Sequence, residues 1–201
     1  MDAVDHVLYA VRDLEAAGED FRQRYGFGVL PGGVPAPGVL NAVIPLEPPR
    51  YLELITVTDP AAGPQARRLA DRLDLYEGPY TFVIDPDDLD AAAARVGVEP
   101  WSTPGAPWRL LGEVEPERPF FIEYDHDRER RAEGWRGSFD RAGHDHRVGG
   151  FTFLELAGDR EALTRWIGEV DVPIRWCAGE PGLHRFGISH GDGELIISRP
   201  A

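Results

Sequence analysis

The feature that most constrains this chain is a unit that recurs three times along it. In the first copy an apolar stretch, His6 to Val11, precedes Asp13 and a helical pattern of Leu14, Ala16, Ala17, Phe21 and Tyr25 that Gly26 ends. Asp13-Leu14 returns 75 residues on as Asp88-Leu89, and a shift of 146 residues carries Asp13 onto Asp159. An aspartate at each of these places is suited to cap the free N–H groups of a helix start. Short β-rich runs follow the first helix at Val29 to Gly33, Val39 to Leu46 and Tyr51 to Val57. A helical linker at Gln65 to Leu75 leads to the second copy: a strand at Tyr80 to Ile84, a helix at Leu89 to Val96, and strands at Val98 to Ser102, Trp108 to Val114 and Phe120 to Tyr124. The third has a strand at Gly150 to Leu156, a helix at Arg160 to Glu169, and strands near Ile174 to Cys177, Leu183 to Ser189 and Glu194 to Ser198. A period of this kind decides the architecture before any local detail does. The order strand, helix, three strands predicts an α+β chain of three βαβββ-like units over 1–60, 78–126 and 147–200.

Charge and cysteine content narrow the function. The 201 residues carry 21 basic and 35 acidic side chains, a formal charge of −14, and every basic residue is arginine. So acidic a balance argues against binding nucleic acid mainly by neutralising phosphates, and disfavours docking on anionic membranes. Cys177 stands alone, which excludes an internal disulfide framework and a multi-cysteine zinc site, and a small core residue is the expected role for it. The first residues lack the basic and apolar regions of a signal peptide, and no run reaches the ~20 apolar residues of a membrane span. A cytoplasmic protein is the expectation. There is no dinucleotide fingerprint after a strand, no phosphate loop, no nucleophile elbow and no zinc-protease motif.

Strand periodicity picks out the candidate site. Alternate side chains share a face, so His6, Leu8 and Ala10 point one way, and Tyr51, Glu53 and Ile55 share another face. A carboxylate between Leu52 and Leu54 is costly if buried alone; it should face a polar cavity, pair with an arginine or bind a metal. Imidazole and carboxylate donors suit Zn²⁺, Fe²⁺, Mn²⁺ or Ni²⁺ alike. Trp101 and Trp108 flank a Pro/Gly-rich turn and are placed to wall an apolar cavity, whereas Trp166, near Leu163 and Ile167, reads as core. Asn41 closes the loop that starts at Gly32, and either steadies it or points its amide inward. Between Asp125 and Arg147 six arginines alternate with acids, which predicts a solvated surface, with an arginine that holds a ligand carboxylate as the sharper alternative.

Asp5-His6-Val7, the loop Gly32 to Ala42, Tyr51-Leu52-Glu53-Leu54-Ile55, Arg118-Pro119-Phe120-Phe121-Ile122 and His144-Asp145-His146-Arg147 together resemble the vicinal oxygen chelate superfamily. The closest resemblance within it is to glyoxalase-like domain proteins of the glyoxalase, bleomycin-resistance and dioxygenase type. The resemblance implies paired βαβββ modules whose mixed sheets curve around a cavity, with a divalent metal held by residues of the first and last strands. Carried over by position, His6, Glu53 and Glu123 would be the metal ligands, and Thr81 would take the fourth place. Glu53 and Glu123 would be the catalytic carboxylates, and Asn41, Thr81, Trp101, Trp108 and His146 the ligand contacts. The chain departs from the pattern at Val34-Pro35, where the family often has histidine, at Gly38-Val39, and at Thr81 and Thr152, so a second histidine ligand would have to come from His126, His144 or His146. The implied function is a metal-assisted isomerase, lyase or dioxygenase acting on a small oxygenated molecule. The alternative is a metal-free protein that sequesters a small molecule in the same cavity. An odd third module leaves an open sheet edge, which predicts a homodimer.

Overall fold

A computed structural model describes residues 1–103 and 105–200. The first unit consists of β1 (Ala3–Ala10), α1 (Leu14–Tyr25), β2 (Leu30–Pro31), β3 (Val39–Pro45) and β4 (Tyr51–Val57). Helix α2 (Pro64–Leu75) leads to β5 (Gly78–Asp85), α3 (Leu89–Val96), β6 (Trp108–Leu111) and β7 (Phe120–Tyr124). Helix α4 (Arg128–Ala142) precedes the third unit, β8 (Val148–Ala157), α5 (Arg160–Ile167), β9 (Ile174–Trp176), β10 (Gly182–His190) and β11 (Gly193–Ser198). The caps form as their residue types require. Asp13 accepts from the N–H groups of Glu15 and Ala16, Asp88 from Ala91 and Asp159 from Ala162, while Gly26 takes the left-handed turn (φ 68°) that ends α1.

One expectation is corrected and another is made specific. The stretch Val98 to Ser102 is no strand: only Trp101 pairs, as an isolated bridge to Leu110, and Pro100 beside it has no N–H to extend a ladder. The arginine-rich segment is not merely solvated chain but the 15-residue helix α4, opened by Asp127, which accepts from the Arg130 N–H. No residue of α4 is fully buried.

Strand β1 pairs parallel with β4 and antiparallel with β5, joining the first two units into one seven-stranded sheet of order β2-β3-β4-β1-β5-β7-β6. The third unit forms a separate four-stranded sheet, β11-β10-β8-β9. One face of the large sheet, with Val7, Leu54, Phe82 and Phe121, packs on α1, α3 and the third unit, whose Leu154, Phe186 and Trp166 complete the main core. Each such buried side chain contributes about 1.5–3 kcal/mol. The third unit therefore covers one face of the sheet. The other face, with Leu8, Ile55, Phe120 and Ile122, packs in part on Ala66, Leu69 and Leu73 of α2 and leaves the cavity described next.

Candidate active site

The site begins with a break in the β1–β5 ladder. Val4 lies opposite Ile84 and His6 opposite Val83, so Asp5 is a bulge with no partner of its own. A bulge re-aims the side chains beside it. Val4 and Val7, three apart, consequently share the core face, and the Asp5 carboxylate reaches the ring of its neighbour His6. The imidazole Nδ1–H donates to Asp5 Oδ2 at 2.7 Å, and Nε2 lies 3.2 Å from Glu53 Oε2. Asn41 Nδ2 donates to Glu53 Oε1 at 2.6 Å, and the side-chain oxygen Oδ1 of Asn41 accepts from the Gly33 N–H, tying the long loop to the same carboxylate.

Parallel pairing places Tyr51 beside His6, and the rings stack at 4.3 Å. Trp135 of α4 stacks on Tyr51 in turn, at 4.9 Å. From the same helix Arg131 donates to Asp5 Oδ1 at 2.7 Å and to Asp85, its guanidinium 3.9 Å from the centre of the Tyr124 ring. The Tyr124 hydroxyl donates to Asp5 Oδ2 at 3.0 Å. Asp5 thus accepts from three side chains while fully buried.

Burial alone would push the His6 pKa down. The hydrogen bonds to Asp5 and Glu53 and the charges of both carboxylates outweigh it and raise the pKa to about 9. His6 is therefore an imidazolium at neutral pH, held between two carboxylates. Burial would likewise raise Asp5, but His6 and Arg131 hold it below the usual carboxylate range. Burial raises Tyr51 and Tyr124 well above the usual phenol value, so both hydroxyls keep their protons.

His6, Glu53, Asn41, Tyr51 and Tyr124 form the polar end of a cavity of about 640 Å³. Leu8, Ile55, Phe120 and Ile122 wall it, and Trp101 and Trp108 stand at its mouth, their rings nearly perpendicular at 6.3 Å. Its size is that of a site for a drug-sized ligand.

The other site expectations do not meet there. On β7 it is Phe120, Ile122 and Tyr124 that line the cavity, so alternation sends Glu123 to the opposite face. Arg109 pairs with Glu123 at 2.6 Å and with Asp90 of α3 at 3.0 Å. Thr81 does not line the cavity; its hydroxyl donates to the Arg118 carbonyl at 3.0 Å, beside an irregularity in the β1–β5 register. His146 packs beside Gly26 and the His190 ring, 5.1 Å away, at the end of α1. His144 accepts from the Gly28 N–H, and His126 is exposed.

This placement decides how well the residues suit the implied metal. Of the carried-over ligands only His6 and Glu53 share the cavity, and their facing atoms are directed at each other. Among the described residues no group of three or more His, Cys, Asp or Glu side chains is placed to hold an ion. The donor set expected for a divalent metal does not fit.

Asp5, Tyr124, Arg131 and Trp135 complete the site without having been singled out for it. Asp5 stands in the motif beside His6, and Arg131 belongs to the arginine run; that run does supply an arginine on carboxylates, but they are the protein's own.

The glyoxalase-like domain family matches residues 4–170, and the chain belongs to that family. A hypothetical protein from Staphylococcus aureus shares the fold over 98% of both chains, at 13% identity and a TM-score of 0.62. A methylmalonyl-CoA epimerase in complex with methylmalonyl-CoA aligns with 62% of this chain and 95% of its own, at 23% identity and a TM-score of 0.46. The Mycobacterium tuberculosis methylmalonyl-CoA epimerase aligns with 61% of this chain and 87% of its own, at 22% identity and 0.46. No curated protein matches significantly. Among the described residues no helix is long and apolar enough to cross a membrane.

Proposed function

We propose that this protein is an isomerase or lyase that moves a proton at a carbon next to a carbonyl in a small oxygenated molecule. The observation that carries the reading is the buried His6–Glu53 pair at the polar end of an apolar-walled cavity. Glu53 takes the proton from carbon, and the C–H electron pair moves through the new C=C bond onto the carbonyl oxygen. The His6 Nε2–H, which faces Glu53 in the free protein, turns its hydrogen bond to that developing oxyanion. Glu53 then returns the proton to another face or position, or the leaving group departs. Asn41 holds the second Glu53 oxygen, and Asp5 fixes the imidazole ring. No step is routed through a metal.

The test is Glu53→Gln against a panel of 2-hydroxycarbonyl and 1,2-dicarbonyl compounds, read as proton exchange at carbon in D₂O. Exchange by the native protein should fall about 10²–10⁴-fold in the variant. Exchange that survives the substitution overturns the assignment, and so does a stoichiometric metal present in the native protein and lost in the variant. A second reading, a binding protein that sequesters its ligand, is favoured by one feature: both Glu53 oxygens already have partners. Tight ligand binding with no exchange across the panel would select it. A homodimer through an edge of the four-stranded sheet is the proposed assembly, and a strict monomer by light scattering at high concentration overturns it.

A further inference from the structure

Among the described residues, each charge lining the cavity has a partner. Its two cations are His6, between Asp5 and Glu53, and Arg68, whose guanidinium lies 2.8 Å from Glu113 and also donates to the Val114 carbonyl. Its two anions, Glu53 and Glu113, are the partners of those same cations. A ligand carboxylate or phosphate would have to draw Arg68 away from Glu113 near the surface, would face Glu53 at the polar end, and would approach a chain of formal charge −14. A ligand ammonium would have to share Glu53 with the His6 imidazolium, or Glu113 with Arg68, and so would sit beside a like charge. Burying either ion without a partner is costly. A neutral donor meets no such obstacle, because a carboxylate has about four acceptor sites and those of Glu53 receive only His6 and Asn41.

The mouth adds a shape requirement. Trp101 is 46% exposed, unusual for so large an apolar ring, yet it is not loose: its indole N–H donates to the Gly112 carbonyl at 3.0 Å. Trp108 stands against it at 88°, so the two indoles make a fixed aromatic corner over the cavity. A flat ring laid on one indole presents its edge to the other, the two arrangements aromatic rings prefer.

We infer that the cavity takes an uncharged, flat aromatic molecule bearing a hydroxyl group, the ring in the Trp101–Trp108 corner or just beneath it and the hydroxyl donating to Glu53. This names the ligand class for the site read above and rests on that cavity being a binding site, but not on its turnover.

Isothermal titration calorimetry with 2-naphthol, 2-naphthoate and 2-naphthylmethylammonium tests it on the whole protein. Naphthol should bind at least about tenfold more tightly than either ion, since each ion must compete with a partner already in place and lose part of its hydration. Trp101→Ala should weaken naphthol binding by up to about tenfold, while Trp101→Phe, which keeps a ring, should stay within about threefold of the native protein. Equal or tighter binding of naphthoate or of the ammonium overturns the inference, as does naphthol binding that Trp101→Ala leaves unchanged or no naphthol binding at all. The two readings fail separately. Selective naphthol binding with no proton exchange on any substrate sinks the enzyme and spares the ligand class; exchange confined to anionic substrates does the reverse.

Discussion

Two glutamates occupy matching places in the first two units, each in the last strand of its unit, and the fold treats them oppositely. Glu53 in β4 is buried, faces the cavity and is met by a histidine and an asparagine. Glu123 in β7 faces α3 and pairs with an arginine at the half-exposed surface. The environment, and not the residue type, separates a candidate base from a surface ion pair. Glu53 sits where two units and α4 converge; Glu123 lies near the sheet edge, with only β6 beyond its strand. What surrounds the first glutamate also explains why α4 exists at all: its inner face brings Arg131 and Trp135 to Asp5 and Tyr51.

The largest expected effect comes from removing that support. Arg131→Met leaves the buried Asp5 carboxylate with only His6 and Tyr124, and losing one partner of a buried charge costs about 3–5 kcal/mol. Urea unfolding should show a clearly lower midpoint at unchanged slope. An unshifted midpoint would mean that α4 does not support the site.

The next effect is set by pH. Because the folded-state pKa of His6, about 9, lies above the unfolded value of 6.5, its contribution is fully present below pH 6.5 and is lost as pH rises through 9. The loss is on the order of 3 kcal/mol for a shift of this size, at 1.36 kcal/mol per unit. Unfolding measured at intervals from pH 6 to 9.5 should slope downward in the native protein and flatten in His6→Gln. Parallel slopes would show that His6 is not held as an imidazolium. Smaller again is Tyr124→Phe, which removes one hydrogen bond to the buried carboxylate and should cost about 1–2 kcal/mol in the same unfolding assay. No measurable cost would place Asp5 nearer to solvent than its contacts indicate.

Much of this was legible in the sequence, and each illegible part has a physical reason. Helix starts at Asp13, Asp88 and Asp159 were readable because capping is local to a few residues. The shared faces of His6 with Leu8, and of Tyr51 with Glu53, follow from period-two alternation, which needs no knowledge of the rest of the chain. The bulge at Asp5 does not, because it exists only in the register between β1 and β5. Helix α4 hid for another reason. Arg128, Arg131, Trp135 and Phe139 are spaced as one helical face, but two of the four are charged, so the apolar period that reveals an amphipathic helix is missing. In β7 phenylalanines stand on both faces, Phe120 toward the cavity and Phe121 toward the core, so hydrophobicity could not say which way Glu123 turned.

The smallest expected effect is the most direct check on the contrast between the two strands. In Glu123→Gln the lost ion pair with Arg109 is a partly exposed one, the side chains being 33% and 42% accessible, and pairs of this kind contribute less than about 1 kcal/mol. Arg109 also keeps Asp90, which offsets part of even that loss. Proton exchange at carbon should match the native protein, since no atom of the Glu123 side chain lines the cavity and its nearest ionic partner lies on β6. Measured beside Glu53→Gln, the substitution is the same change of carboxylate to amide at matching places in two units. Equal losses of exchange would restore Glu123 to the site and show that β7 turns its other face inward in the working protein. A silent Glu123 beside a disabled Glu53 leaves strand register as what divides them: shifting β7 by one residue would exchange Tyr124 for Glu123 at the cavity wall and put the Asp5–Arg131 contacts out of reach of the tyrosine that now supports them.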